Sequence, residues 1–346
     1  MALSPDDDRR APALRPHDDW LALSDWSDRA PDTPALLPQG LFILELRLPI
    51  QDPTVLLQVQ SPNGTRAFSV FFDPIGGLSL LQRDGTQIRR HLLPGPLPQR
   101  QGVARLTFGF DVTRRTWDMT YDLPGEGTRQ TFQGTDPLPL HTADIHALCT
   151  DAPGAKRHPA TLWFGLTHRT TGLPDRAPWI GLNTPIDTKR GPVRAGLLRP
   201  GDLIATVEDG FQPLLATRRR TFPSRGTFAP VVLRSPFFGL TGDILVSSDQ
   251  LVLISGASVE YLYGEEEALI SAASLCDGHV AAKDERRAVT DCVALDLGAP
   301  FLITADGCCL MSASTAFHDL PRRALRDYEA LPLLALLGRT ALRHVA

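Results

Sequence analysis

Lysine is almost missing from this chain of 346 residues: it occurs only at Lys156, Lys189 and Lys283, and the rest of the 35 basic residues are arginine. Beside abundant Ala, Gly and Pro, that skew fits a GC-rich bacterial genome better than a functional device. Charge of one sign is also lacking. The net charge of -4 provides neither a basic field for nucleic acid nor an acidic excess for cations, so no nucleic-acid partner is expected. No apolar run approaches the roughly 20 residues that cross a bilayer, and the stretch 331–337 is interrupted by Pro332. The acidic start MALSPDDDRR has no cationic and apolar leader, which points to the cytoplasm or to export without a cleaved signal peptide. The five cysteines (Cys149, Cys276, Cys292, Cys308, Cys309) are odd in number and show no C-x-x-C spacing, so neither a zinc site nor any other metal or cofactor is expected.

What is present is turn chemistry between short alternating runs. With 28 Gly and 30 Pro the chain reads as all-β. Residues 1–37, rich in Asp, Pro and Arg, read as an irregular arm that Trp20 and Trp26 pin to a core. Leu44, Leu46 and Leu48 then share a face, with Glu45 and Arg47 opposite. Ser61-Pro62-Asn63-Gly64 and Asp84-Gly85 mark hairpins. Leu106, Phe108 and Phe110 alternate with polar positions before a turn at Asp111–Arg115, after which Trp117, Met119 and Tyr121 resume. The spacing predicts an antiparallel β-sandwich over 38–150, closed by a helix at Thr142–Cys149, and then a linker over 151–178. Short apolar strands return at Leu203–Val207, Val231–Leu233, Ile244–Val246 and Leu251–Ile254. Gly264–Leu269 reads as a weak helical start. Ala324–Leu337 carries Leu325, Tyr328, Leu331 and Leu334 at helical spacing, placing a C-terminal helix within 319–346.

Three blocks in order in the second half carry a resemblance. Asn183-Thr184-Pro185-Ile186 leads to Leu198-Arg199-Pro200-Gly201-Asp202-Leu203, and Gly242-Asp243-Ile244-Leu245-Val246 leads through Ser247-Ser248-Asp249-Gln250 to Leu251-Val252-Leu253. With Ile303-Thr304-Ala305-Asp306-Gly307 following, residues 179–318 resemble a bacterial Hint (hedgehog/intein) domain. The resemblance implies a compact all-β fold whose active members use a first-position nucleophile to convert a peptide bond into a thioester. That acyl shift needs a thiol or hydroxyl beside its own preceding carbonyl and a histidine to protonate the departing nitrogen. Counting back from the first block, the nucleophile position falls at Trp179, and the histidine position of the second block holds Gln250. Neither residue can do the chemistry. Further histidine positions hold Cys292, Ala294 and Pro300, and between 179 and 318 only His279 and His318 occur, neither in a catalytic position.

The expectation is therefore a non-catalytic structural or binding protein: a degenerate Hint domain behind a sandwich that loosely resembles laminin-G and concanavalin-like lectins. Its partner would be a glycan or another protein of a larger assembly. The alternative is a chain that still cuts itself through a displaced nucleophile, for which Cys149 in Cys149-Thr150-Asp151 is the candidate. Vicinal Cys308 and Cys309 read as one inward and one outward thiol, and Glu265-Glu266-Glu267 as a solvated turn. Arg218-Arg219-Arg220, with Arg225 nearby, is the best candidate for an anionic ligand, set against a solvated strand edge. Trp117 and Tyr121 offer stacking surfaces for sugars only if their alternation does not bury them.

Overall fold

The computed structural model describes residues 20–24, 34–124, 126–168, 178–313 and 320–343, with the side chains of the last helix described to Leu336. Trp26 and His318 lie outside the described residues. The chain divides into two compact units, one spanning His17–Leu173 and the other formed by Pro174–Ala346 with Met1–Pro16. Both described folds are built from antiparallel strands, and the last long element is a helix.

In the first unit a six-stranded sheet runs in the order Trp20–Leu23, Thr161–Thr167, Gln39–Leu48, Gly102–Asp111, Thr116–Leu123 and Thr128–Thr135. A five-stranded sheet runs Ala155–Arg157, Thr54–Gln60, Arg66–Asp73, Gly77–Asp84 and Gln87–Pro94. Period-two alternation sets the register. Phe42 lies opposite Phe108 and Phe108 opposite Met119, while Leu44, Leu106 and Tyr121 form the next row. These side chains share one buried core with Leu57, Val59, Phe68, Val70, Phe72, Leu78 and Leu80, where Phe42 meets Phe68 edge-on at 5.2 Å. The hairpin read at Ser61–Gly64 is closed by Asn63 Oδ1, which accepts from Thr65 N, and by Gly64 at φ 68°.

One segment read as irregular is a strand, and the strand start read at Trp163 and Phe164 within the linker is longer than expected, Thr161–Thr167. Trp20–Leu23, assigned to the arm, pairs with Thr161–Thr167, assigned to the linker, and the latter pairs in turn with Gln39–Leu48. The reason is apolar burial: Trp20, Ala22, Leu23, Trp163, Phe164 and Leu166 are all buried. Glu45 alternates as expected yet is fully buried. It is held there because it accepts from Arg105 Nε at 3.0 Å and from Trp163 Nε1 at 2.7 Å, which is how a buried carboxylate is tolerated.

In the second unit one sheet runs Ala216–Pro223, Val289–Asp296, Ile180–Gly181, Ile244–Val246, Val231–Leu233 and Ala281–Lys283. The other runs Gly191–Arg194, Pro185–Thr188, Leu203–Thr206, Leu302–Ala305, Cys308–Met311, Leu251–Ser255 and Glu267–Ser271, with Gly210–Pro213 paired to Leu203–Thr206. Ile180, Ile204, Val231, Val246, Val252, Ile270, Val293, Ile303 and Leu310 belong to its core. The helical start read at Gly264–Leu269 is a correction: the helix is Ala257–Tyr263, and Gly264 ends it in the left-handed region at φ 70°, the usual stop. Ala268, Leu269 and Ile270 then enter a strand because all three are buried. The C-terminal helix is Asp327–Arg343, starting three residues later than Ala324. Glu329 sets that start by accepting from Arg326 N at 2.8 Å, as a capping box does. Leu325, Ala330 and Leu333 are buried on the core.

Candidate functional site

The two-residue strand Ile180–Gly181 fixes the position that the sequence marked for a nucleophile. Ile180 pairs with Val293 on one side and Val246 on the other, and Gly181 pairs with Cys292. Gly181 is required at that crossing, because a Cβ there would stand 2.9 Å from the Leu245 Cβ. Trp179, the residue before this strand, is 3% exposed. Its indole meets the Phe222 ring edge-on at 4.9 Å, in a cluster with Cys292, Ala294, Ala313 and Phe228. The position that the resemblance assigns to a nucleophile is packed with an aromatic side chain.

The backbone around Trp179 is held on both sides by one serine. Trp179 N donates to Ser247 Oγ at 3.1 Å, and Ser247 N donates to Trp179 O at 2.8 Å. Ser247 opens a turn closed by Gln250 N donating to Ser247 O at 3.0 Å, so the amide preceding Trp179 and the Gln250 position are linked through four consecutive residues. Gln250 is fully buried. Its Nε2 donates to Met311 O at 2.9 Å and to Leu251 O at 3.0 Å, while its buried Oε1 has no hydrogen-bond partner among the described residues. The two carbonyls fix the amide orientation, since a flipped amide would set oxygen against oxygen. Gln250 therefore ties the start of one strand to the end of another and supplies no titratable proton.

The cysteine candidates are buried or half-buried. Burial, reinforced by Asp291, pushes the Cys292 thiol up to about 12, which keeps it protonated and unreactive at neutral pH. Cys308 is buried and likewise pushed up to about 12 by burial, Cys309 and Asp306. Cys309 is half-buried and raised by burial, then by Glu267, Glu208 and Asp187, in keeping with one inward and one outward thiol. Cys149, the displaced candidate, ends the Thr142–Cys149 helix and is buried in the core of the sandwich unit. Among the described residues no group of three or more His, Cys, Asp or Glu is placed to hold a metal ion.

Arg218, Arg219 and Arg220 lie on Ala216–Pro223, the edge strand of its sheet. Strand alternation puts Arg219 on the face opposite Arg218 and Arg220, and its Nη2 donates to Gly196 O. Arg225 Nη1 donates to Ser224 O, Glu285 O and Arg287 O. The run does not gather three guanidinium groups on one surface, which corrects the expectation of a single cluster with Arg225. Trp117 and Tyr121 are core residues: Trp117 Nε1 donates to Thr135 O and Tyr121 Oη to Pro98 O, so neither offers a stacking face. Glu267 of the acidic run sits in a strand and pairs with Arg322 at 2.6 Å.

Sequence reading missed Ser247. The available signal was a polar triplet, Ser247-Ser248-Asp249, between two apolar strands, but the amide it binds lies 68 residues away.

Residues 181–315 match the family described as Hint domain, inside the stretch 179–318 that carries the resemblance. No curated protein matches the chain. Among solved structures it is similar to the CBM40 of the Ruminococcus gnavus IT-sialidase at 15% identity, covering 46% of this chain and 90% of that one with a TM-score of 0.30. It is also similar to the LG4-5 domains of the mouse laminin alpha1 chain at 12% identity, covering 87% of this chain and 76% of that one with a TM-score of 0.25. At these scores neither likeness assigns a function. No helix among the described residues is long and apolar enough to cross a membrane.

Proposed function

We propose that this chain, whose residues 181–315 match the Hint domain, is a structural or binding protein that uses the Hint fold as a scaffold and does not cut its own backbone. One observation carries the reading: Trp179 fills the nucleophile position inside an aromatic cluster, and the Gln250 amide, in the histidine position, is spent on two backbone carbonyls. An acyl shift needs a lone-pair donor next to the preceding carbonyl and an acid for the nitrogen that leaves. Trp179 N–H instead rests on Ser247 Oγ, a hydrogen bond that holds the peptide in place without activating it. The thiols of Cys292 and Cys308 are held protonated by burial. Binding of a glycan or a protein partner through the sandwich unit is the role left to the first half.

Hydroxylamine tests the reading directly, because it captures any thioester or ester that forms along the backbone. The full chain incubated with it near neutral pH is expected to give no fragment apart from any cut at Asn63-Gly64, a dipeptide that hydroxylamine attacks by itself. A fragment ending at Pro178 as a hydroxamate would show that the peptide before Trp179 is opened by another nucleophile, such as the Ser247 hydroxyl beside it, and overturn the proposal.

A further inference from the structure

Alternation gives the five-stranded sheet of the sandwich unit an outward face as well as a core face. Phe68, Val70, Phe72, Leu78, Leu80 and Leu93 enter the core, so the residues between them point away from it. Lys156, Gln58, Ser69, Leu81 and Arg90 stand side by side in one row across all five strands. Val55, Phe71, Ser79 and Leu92 form the row on one side of it, and Gln60, Ala67, Arg83 and Ile88 the row on the other.

This face is both aliphatic and cationic. Val55 is exposed by 42%, Ile88 by 56% and Leu92 by 41%, and Ile75, on the turn beyond the Val55 row, by 82%. Lys156, Arg83 and Arg90 are exposed, and none of the three forms an ion pair among the described residues. No carboxylate stands in the three rows to oppose them. Asp73, next outward on its strand, accepts from Ile75 N at 2.9 Å and belongs to the turn. Asp84 falls on the opposite side of its strand, 3.2 Å from His141 Nε2.

We propose that this face rests on a bilayer that carries anionic lipids. Three cations without a carboxylate among them complement a surface of negative headgroups, where each contributes about fivefold to partitioning. The exposed aliphatic side chains beside them suit the boundary between headgroups and acyl chains. Strands about 4.8 Å apart and alternate residues about 6.8 Å apart make the face roughly 19 by 14 Å. That is well under the ~800 Å² that each partner buries in a stable protein interface, whereas a bilayer sets no such minimum. A polyanionic glycan would engage the cations but leave Val55, Ile88 and Leu92 without a role, and Phe71 is the single aromatic residue in the rows. The proposal gives the sandwich unit a partner that the binding role above does not name, and it is independent of whether the Hint unit cuts itself.

Cosedimentation of the full chain with vesicles tests the proposal, using phosphatidylcholine alone and phosphatidylcholine mixed with an equal part of phosphatidylglycerol. The wild type is expected to pellet with the mixed vesicles and not with the neutral ones, and to be released as sodium chloride is raised. Arg83→Gln, Arg90→Gln and Lys156→Gln combined are expected to weaken binding on the order of a hundredfold, and Ile88→Ser with Leu92→Ser by about tenfold. Arg114→Gln, on a turn of the other sheet, is expected to bind like the wild type, and a loss there equal to the triple variant's overturns the assignment to this face. A wild type that stays in solution with the mixed vesicles, or binding that the triple variant retains, overturns the proposal. Binding to dextran sulfate that the triple variant loses, with vesicle binding unmoved by Ile88→Ser and Leu92→Ser, makes the face a polyanion site and overturns the lipid reading. If the triple variant loses the wild-type far-UV spectrum, salt decides: binding of the wild type to mixed vesicles that sodium chloride does not weaken overturns the proposal.

Discussion

His91 ties the stability of the sandwich to pH, and replacing it with Phe separates that dependence from everything else that titrates. The imidazole is 2% exposed and sits 5.0 Å from the Phe108 ring and 4.8 Å from the Trp117 ring. Its Nε2 lies 2.8 Å from Gln82 Oε1. Gln82 is itself fixed, with Nε2 donating to Leu138 O and Oε1 accepting from Leu138 N. The oxygen must therefore face the ring, and His91 Nε2 carries the proton it donates. Charging the ring would add a proton at Nδ1 among aromatic groups. Burial, with a smaller contribution from Arg89, lowers the His91 pKa from 6.5 to about 4. Because the folded value lies below the unfolded one, the unfolded chain binds this proton first as pH falls. The stabilisation is complete above pH 6.5 and is lost on the way down to about 4, by about 3 kcal/mol at most. Urea unfolding followed by tryptophan fluorescence reports mainly on the sandwich unit, which contains Trp20, Trp117 and Trp163. Near pH 7 His91→Phe is expected to cost about 1 kcal/mol for the lost hydrogen bond. The difference from the wild type is expected to shrink and reverse as pH falls toward 4. Parallel profiles for the two proteins, or a His91 ring resonance that titrates at its ordinary value, would refute the reasoning.

Glu45→Ala should cost about 3–5 kcal/mol by leaving the buried Arg105 without the carboxylate that accepts from it at 3.0 Å; a loss below 1 kcal/mol in urea unfolding would place that carboxylate outside the energetics of the sheet. Gly134→Ala should cost about 1–3 kcal/mol, since its Cβ would stand 2.4 Å from the Trp117 ring, and its calorimetric midpoint should fall accordingly. Gln250→Leu should lower the unfolding free energy by about 1–3 kcal/mol, because Met311 O loses its donor inside the core. A more stable variant would show that relieving the unpartnered Oε1 outweighs that loss.

Much of the fold could be read from alternation. Leu106, Phe108 and Phe110 in one strand, and Trp117, Met119 and Tyr121 in the next, showed a hairpin because both strands have a long, regular apolar face and a local turn. Trp20–Leu23 could not be read this way: four residues give no period, and their partner lies about 140 residues on, a separation set by tertiary packing alone. Glu45 looked like an outward residue because a sequence does not announce that Arg105 and Trp163 will meet it. At the candidate site, spacing within ordered blocks singled out Trp179 and Gln250, which the structure shows buried and joined through the Ser247 turn. Ser247 and the Met311 carbonyl were not, because each acts through a contact made across the fold. The arginine run looked like a cluster in sequence, yet strand geometry sends its neighbours to opposite faces.

Intact mass of the full chain after a day with and without dithiothreitol, measured on the wild type and on Cys149→Ala, tests the central claim most directly. With Trp179 packed on Phe222 and Gln250 bound to Met311 O, both proteins should remain at full length under both conditions, the variant differing only by the substitution. Thiol-dependent fragments of the wild type that vanish in Cys149→Ala would contradict the account and make Cys149 the nucleophile of a self-cutting chain.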